Sequence, residues 1–121
     1  MATNDQNKKY DLDERTFQFA KNCRSLVRGL SKTIGNIEDG KQLVRSSGSV
    51  HANYIEANEA LSRKDFYHRI KICRKEAKES RSWLLLIDIA QSHQEAERVK
   101  LVQEASELTR IFGVIITKES L

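Results

Sequence analysis

Proline is missing from the whole chain of 121 residues, and only five glycines interrupt it. A β-rich chain needs frequent turn residues, whereas helices run through such a sequence unbroken. The apolar pattern agrees. Ala20, Cys23, Val27 and Leu30 recur at steps of three and four, as do Leu43, Ser47, Val50, Tyr54, Ala57 and Leu61. Phe66, Ile70, Cys73, Ala77, Ser80, Leu84 and Ile87 form a third run, and Leu101, Ala105, Leu108, Phe112 and Ile115 a fourth. Such spacing draws an apolar stripe along one side of a helix, and it favours left-handed packing at small crossing angles.

Helix starts are marked by a short acceptor followed three residues later by an acid. Asp11 with Glu14, Asn36 with Asp39, Ser62 with Asp65 and Ser92 with Glu95 all fit, each ahead of an apolar run. Helices are therefore expected over 12–30, 37–60, 63–90 and 93–117. The last two connections are short enough to force antiparallel neighbours. The expected fold class is all-α, an antiparallel up-down-up-down four-helix bundle. It occupies residues 11–118 as one domain, behind a flexible N-terminal tail over 1–10.

Charged residues make up 31% of the chain and apolar residues 39%, which suits bundle helices with charged outer faces. Met1 to Lys9 is polar and lacks the apolar core of a signal peptide. No stretch approaches the ~18 consecutive apolar residues of a membrane span. These features predict a cytoplasmic protein with no membrane partner. Cys23 and Cys73, the two cysteines, fall on apolar stripes and read as reduced core thiols.

The sequence offers little for catalysis. His51, His68 and His93 sit on different predicted elements without metal-ligand spacing, and no Glu-x-x-His occurs. Glu56 and Glu59 share a helical face, but near a helix end such acids are usually solvated. No serine, cysteine or lysine has a neighbouring base in a nucleophile motif. The expectation is a non-enzymatic protein with no catalytic residue, no metal and no cofactor.

Two features of the second helix stand out. Ser46, Ser47, Gly48 and Ser49 occupy positions where a bundle would carry larger residues, which reads as close packing against another helix or as a ligand site. They lie too far into the helix for a phosphate loop. Asn53 falls at the edge of the packed face, three residues from Glu56; the two can hydrogen-bond each other or an adjacent helix, and Asn53 reads as an interhelical polar clamp or as a binding residue.

Charge is segregated. Net charge is +4, yet residues 61–81 alone carry eight Lys or Arg against three acids. At 100° per residue, Lys64, Lys71, Arg74, Lys75 and Lys78 share one arc opposite the apolar stripe, with Asp65, Glu76 and Glu79 on one flank. A solvated face would tend to intersperse its signs, so this arc reads as a contact with a polyanion, RNA or DNA, or else as a solvated outer face. No aromatic interleaves it, which points to the phosphate backbone of structured nucleic acid rather than stacked bases. Apolar residues also exceed what one stripe needs. Trp83, Leu84, Leu85, Leu86, Ile87 and Ile89, like Ile111, Phe112, Val114, Ile115 and Ile116, nearly encircle their helices. That surplus implies a second contact surface, and self-association into a homo-oligomer is its simplest explanation.

The segment Arg45-Ser-Ser-Gly-Ser-Val-His-Ala-Asn-Tyr-Ile-Glu56 resembles the second-helix signature of the 23S rRNA intervening-sequence proteins. Arg45, Ser49, Val50, Ala52, Asn53 and Glu56 match that pattern, and Phe66, Ile70, Ile72, Glu79 and Leu84 stand at the family's spacing in the third helix. Similarity spans about Tyr10 to Ile116. The resemblance implies a bacterial up-down-up-down bundle and a ring-shaped homopentamer, with Arg45, Ser49, Asn53 and Glu56 in structural roles. A related accessory protein of diversity-generating retroelements works with a reverse transcriptase and nucleic acid. His51 stands where many members have Pro, Ala57 where many have Gly, and the Arg74–Lys78 segment is more basic than usual. Two functions remain open: a nucleic-acid-binding oligomer acting through the third-helix face, or a protein–protein adaptor with no nucleic-acid affinity of its own.

Overall fold

The computed structural model describes the chain from Asn4 onward, with side chains described from residue 12. Helices α1 (Asn4–Arg28), α2 (Ile34–Asn58), α3 (Arg63–Leu86) and α4 (Ser92–Thr117) follow in order, ending in a 3-10 turn, Lys118–Ser120. Each helix packs against its neighbours in sequence, and α4 returns to α1 over the smallest of the four interfaces. Contacts run antiparallel throughout. Thr16 meets His51, Ser46 meets Ser80, Arg81 meets Ser106, and Arg15 meets Glu104. The bundle is up-down-up-down, as the stripe spacing and short connections require.

The stripes form the core. Cys23, Leu43, Val50, Ile70, Cys73, Ala77, Leu84, Ala105, Leu108 and Phe112 are fully buried, joined by Phe19 and Leu26 from α1. Phe19, Leu26 and Thr16 lie outside the expected first stripe. They are buried because α1 is gripped on two sides, so its inward arc is wider than one seam. Burial pushes both thiols up to about 12, so neither is a thiolate near neutrality. Leu61 shares the phase of the α2 stripe yet is fully exposed, because α2 ends at Asn58 and the chain turns away.

Helix starts differ from expectation at three of four places. α1 runs through Asp11 instead of beginning there, and its extension takes in part of the expected tail. Residues 1–3, and the side chains up to residue 11, lie outside the described residues. Ser62 caps α3 as expected, its hydroxyl accepting from Asp65 N at 3.0 Å. In α2 the cap is Thr33, whose hydroxyl accepts from Asn36 N at 3.1 Å. In α4 the cap position falls on Gln91 without a side-chain bond, so Ser92 is already helical.

Asn36 is freed for a different task. Buried at the loop end of the bundle, its amide donates to Ser31 O at 3.0 Å and to Asp88 O at 3.1 Å. Its carbonyl oxygen accepts from Asp88 N at 2.8 Å. Gln94 donates to Gly29 O, and Arg98 to Ile87 O at 2.6 Å. These side chains satisfy backbone groups that the helix ends leave without partners and tie both loops at this end together.

The contrast between the two leucines is testable. Leu84→Ala is expected to cost about 2–5 kcal/mol in urea unfolding, whereas Leu61→Ala, which removes no buried atom, is expected to leave the midpoint unchanged.

Candidate nucleic-acid interface

The core stripe fixes the rotation of α3, and that rotation decides which of its charges face water. Eight cations fall within residues 61–81, and they divide evenly. Arg63 reaches the carbonyls of Lys118 and Glu119 at 2.8 Å and covers the Tyr67 ring. Arg69 donates to Asn53 Oδ1 at 3.1 Å, Arg81 to Ser106 Oγ at 3.0 Å, and Lys71 pairs with Glu119 at 2.8 Å. Lys64, Arg74, Lys75 and Lys78 are exposed and make no ion pair among the described residues.

The acids are drawn to the opposite flank. Arg45 of α2 reaches Glu76 Oε1 at 3.3 Å and Glu79 Oε1 at 3.2 Å, while its Nε donates to Gln42. Glu76 is only 8% exposed, so its charge is largely spent on that pair. Asp65 sits in the first turn of α3, beside the partial positive charge of the helix start. The outward arc is thus cationic without an acid to cancel it.

All five residues of the expected basic set lie on the surface of α3, but not equivalently. Lys64, Lys75 and Lys78 project from the outer side. Lys71 is held by Glu119. Arg74 lies on the flank facing α4, its Nε 3.5 Å from where a Cβ on Gly113 would stand.

Residues of the second-helix signature hold α2 to α3. The hydroxyls of Ser46 and Ser80 meet at 2.7 Å in the buried interior, while Ser47, its hydroxyl on Val44 O, is buried on the side of α2 that meets Cys23 of α1. Such small side chains let the two helix backbones approach closely. Ser49 accepts from Asn53 through both its hydroxyl, at 3.0 Å, and its carbonyl, at 2.9 Å. That aims Asn53 Oδ1 at Arg69. Asn53 bonds Arg69 on α3 rather than Glu56, which is exposed.

A charge count over residues 61–81 does not reach a second cationic run, on α1. Lys21, Arg24, Arg28 and Lys32 follow one another at steps of three and four, and no acid occurs between Arg15 and Glu38. That gap is the signal by which the sequence marks it.

Apolar surplus is partly resolved into core. Leu84 and Ile87 are buried and Trp83 and Ile89 pack against the core, while Leu85 and Leu86 stay exposed. On α4, Phe112 is buried, Ile115 and Ile116 pack against the core, and Val114 is exposed. Among the described residues, no cluster of three His, Cys, Asp or Glu side chains could hold a metal, and no helix is long and apolar enough to cross a membrane.

These features define an all-α bundle whose third helix carries an uncompensated basic face. The 23S rRNA-intervening sequence protein family matches residues 8–113, and the chain belongs to that family. A solved structure from Bacteroides thetaiotaomicron, described as a protein of unknown function from the S23 ribosomal protein family, is similar at 28% identity with a TM-score of 0.75. The match covers 87% of this chain and 97% of that one. No curated protein matches the sequence.

The Asn53–Arg69 bond is expected to appear as a coupling of about 0.5–1.5 kcal/mol in a double-mutant cycle with Asn53→Ala and Arg69→Ala, read by chemical denaturation. The corresponding cycle between Asn53→Ala and Glu56→Ala is expected to give none.

Proposed function

We propose that this protein binds structured nucleic acid, RNA or DNA, without catalysis, through the basic face of α3, and acts in the cytoplasm as a homo-oligomer. The observation that carries the reading is the division of charge on α3. Arg45 holds two of the helix's three acids on the α2 side, and Lys64, Arg74, Lys75 and Lys78 face water with no acid of their own. Exposed charges of one sign repel each other, and a phosphate backbone relieves that repulsion while releasing condensed counterions. The absence of an aromatic side chain among those four favours backbone contact over base stacking.

A surface of another kind supports self-association. Ile34 and Ile37 at the start of α2, Leu85 and Leu86 at the end of α3, and Val99 near the start of α4 are all exposed at the loop end of the bundle. Aliphatic side chains gathered at one end favour a protein contact there, and a second copy of the chain is the simplest occupant. The ring of five copies implied by the family resemblance is the assembly we propose. An adaptor that binds only protein would use the same apolar end and leave the basic face unoccupied.

Binding of a short RNA hairpin is expected to weaken steeply with salt, with a log–log slope of about −3 to −4 if four cations each meet a phosphate. Reversing Lys64, Arg74, Lys75 and Lys78 to Glu is expected to abolish it, while Lys71→Glu alone has the smaller effect because Glu119 already holds that lysine. Light scattering of the same samples is expected to give a multiple of the 13.9 kDa chain mass, unaltered by the charge reversal. Unchanged RNA binding by the quadruple variant would refute the α3 reading, and failure of the native protein to bind RNA at low salt would favour the adaptor.

A further inference from the structure

The basic run on α1 lies diagonally across the bundle from α3, since α1 packs on α2 and α4. Lys21, Arg24 and Arg28 fall within one arc of the helix, and Lys32 follows in the next loop. All four are exposed, and none makes an ion pair among the described residues. Unlike the α3 face, this one adjoins an aromatic side chain. Phe17, one turn before Lys21, is 44% exposed, and Lys21 Nζ stands 5.8 Å from its ring centroid. His51 of α2 meets the Phe17 ring edge-on, with centroids 5.5 Å apart.

Between these groups lies a hollow of about 290 Å³ lined by Phe17, Ala20, Lys21, Arg24, Gly48 and His51. Its walls are organised. Gly48 leaves room for the Arg24 guanidinium, whose Nη2 lies 2.9 Å from where a Cβ would stand, and Arg24 Nη1 donates to Ala20 O at 3.1 Å. The Thr16 hydroxyl lies 3.2 Å from Asp13 O and 2.9 Å from His51 Nδ1, which holds the imidazole at the rim of the hollow. Its Nε2 makes no hydrogen bond among the described residues and is left to meet the polar edge of a base.

We infer that this hollow is a second nucleic-acid site, specific for single strands, in which an unstacked base lies against Phe17 while its flanking phosphates follow Lys21, Arg24 and Arg28. An aromatic face offers a stacking platform to any base, and cations three and four residues apart rise about 4.5–6 Å along the helix, so several phosphates of one strand come within reach together. Asp13 and Glu14 line the neighbouring depression on the other side of Phe17 and His51. Their charge repels phosphate there, so the strand runs from Phe17 toward the C-terminal end of α1. An anionic membrane is the poorer occupant, since Phe17 is the one large apolar side chain on this stripe and interfacial helices need a broad apolar face. The inference does not depend on the α3 reading; together they would let one bundle hold a structured region and a single strand on opposite sides.

The test is fluorescence anisotropy at low salt with three probes: a labelled 12-mer of uridylate, the same length of abasic sugar-phosphate, and an RNA hairpin. Native protein is expected to bind the oligouridylate more tightly than the abasic strand. Phe17→Ala is expected to weaken the oligouridylate about ten-fold and the abasic strand hardly at all, with Phe17→Trp restoring binding. Lys21→Glu with Arg24→Glu is expected to weaken both strands, and the α3 quadruple reversal to spare them. Phe17 and Lys21 are exposed, so retained helicity by circular dichroism separates lost binding from lost fold. Equal affinity of the native protein for the two strands would overturn the inference, as would indifference to Phe17→Ala. Binding of phosphatidylserine vesicles without binding of oligouridylate would also overturn it. Loss of hairpin binding in the α3 variant alone bears only on the α3 reading.

Discussion

The close approach of α2 to α3 governs much of the rest. Where Ser46 and Ser80 meet at 2.7 Å, two hydroxyls replace the bulk of a usual core pair, and the helices close on each other at that level. Elsewhere along the seam the contact is polar as well. Arg45, next to Ser46, reaches Glu76 and Glu79, and two turns further along α2 Asn53, steadied by Ser49, accepts from Arg69. Register between two helices could slip by a turn at little cost to a purely apolar seam. Here a slip would strand a buried hydroxyl, a nearly buried carboxylate and a half-buried amide together.

The same contact shapes the surface. Arg45 does more than neutralise two acids: it fixes them on the α2 flank, so the outer side of α3 presents cations alone. Arg69 is spent on Asn53, Arg63 on the end of α4, and Arg81 on Ser106. The cations left over are not a random residue of the composition. They are those that no neighbouring helix can reach, apart from Arg74, which leans into the space above Gly113. A fold held by polar clamps thereby produces a charged face as a by-product of its own register.

Periodicity made the core legible. Residues at steps of three and four from α2, α3 and α4 are buried almost without exception, because burial follows the angle around a helix and little else. Leu61 breaks the rule because angle matters only while the helix lasts. The caps were less legible. Thr33 and Asn36 both carry the right chemistry, and only the path of the chain decides that Thr33 caps while Asn36 reaches across to Asp88. Ser92 and Asp11 show the same limit: a side chain able to cap does so only if the backbone leaves the helix there. The basic arc on α3 was visible as a charge excess, but the split between engaged and unengaged cations depends on partners from α2, α4 and the 3-10 turn that follows α4. The α1 hollow could not be read from one helix at all, since Gly48 and His51 come from α2.

The central claim is that nucleic acid meets the outer side of α3. Amide chemical-shift mapping during titration with an RNA hairpin at low salt tests it residue by residue. The account predicts salt-sensitive shifts concentrated between Lys64 and Lys78, with the loop end around Ile34, Leu86 and Val99 unmoved. Shifts confined to that apolar end, or none at a saturating ratio of hairpin to protein, would contradict it.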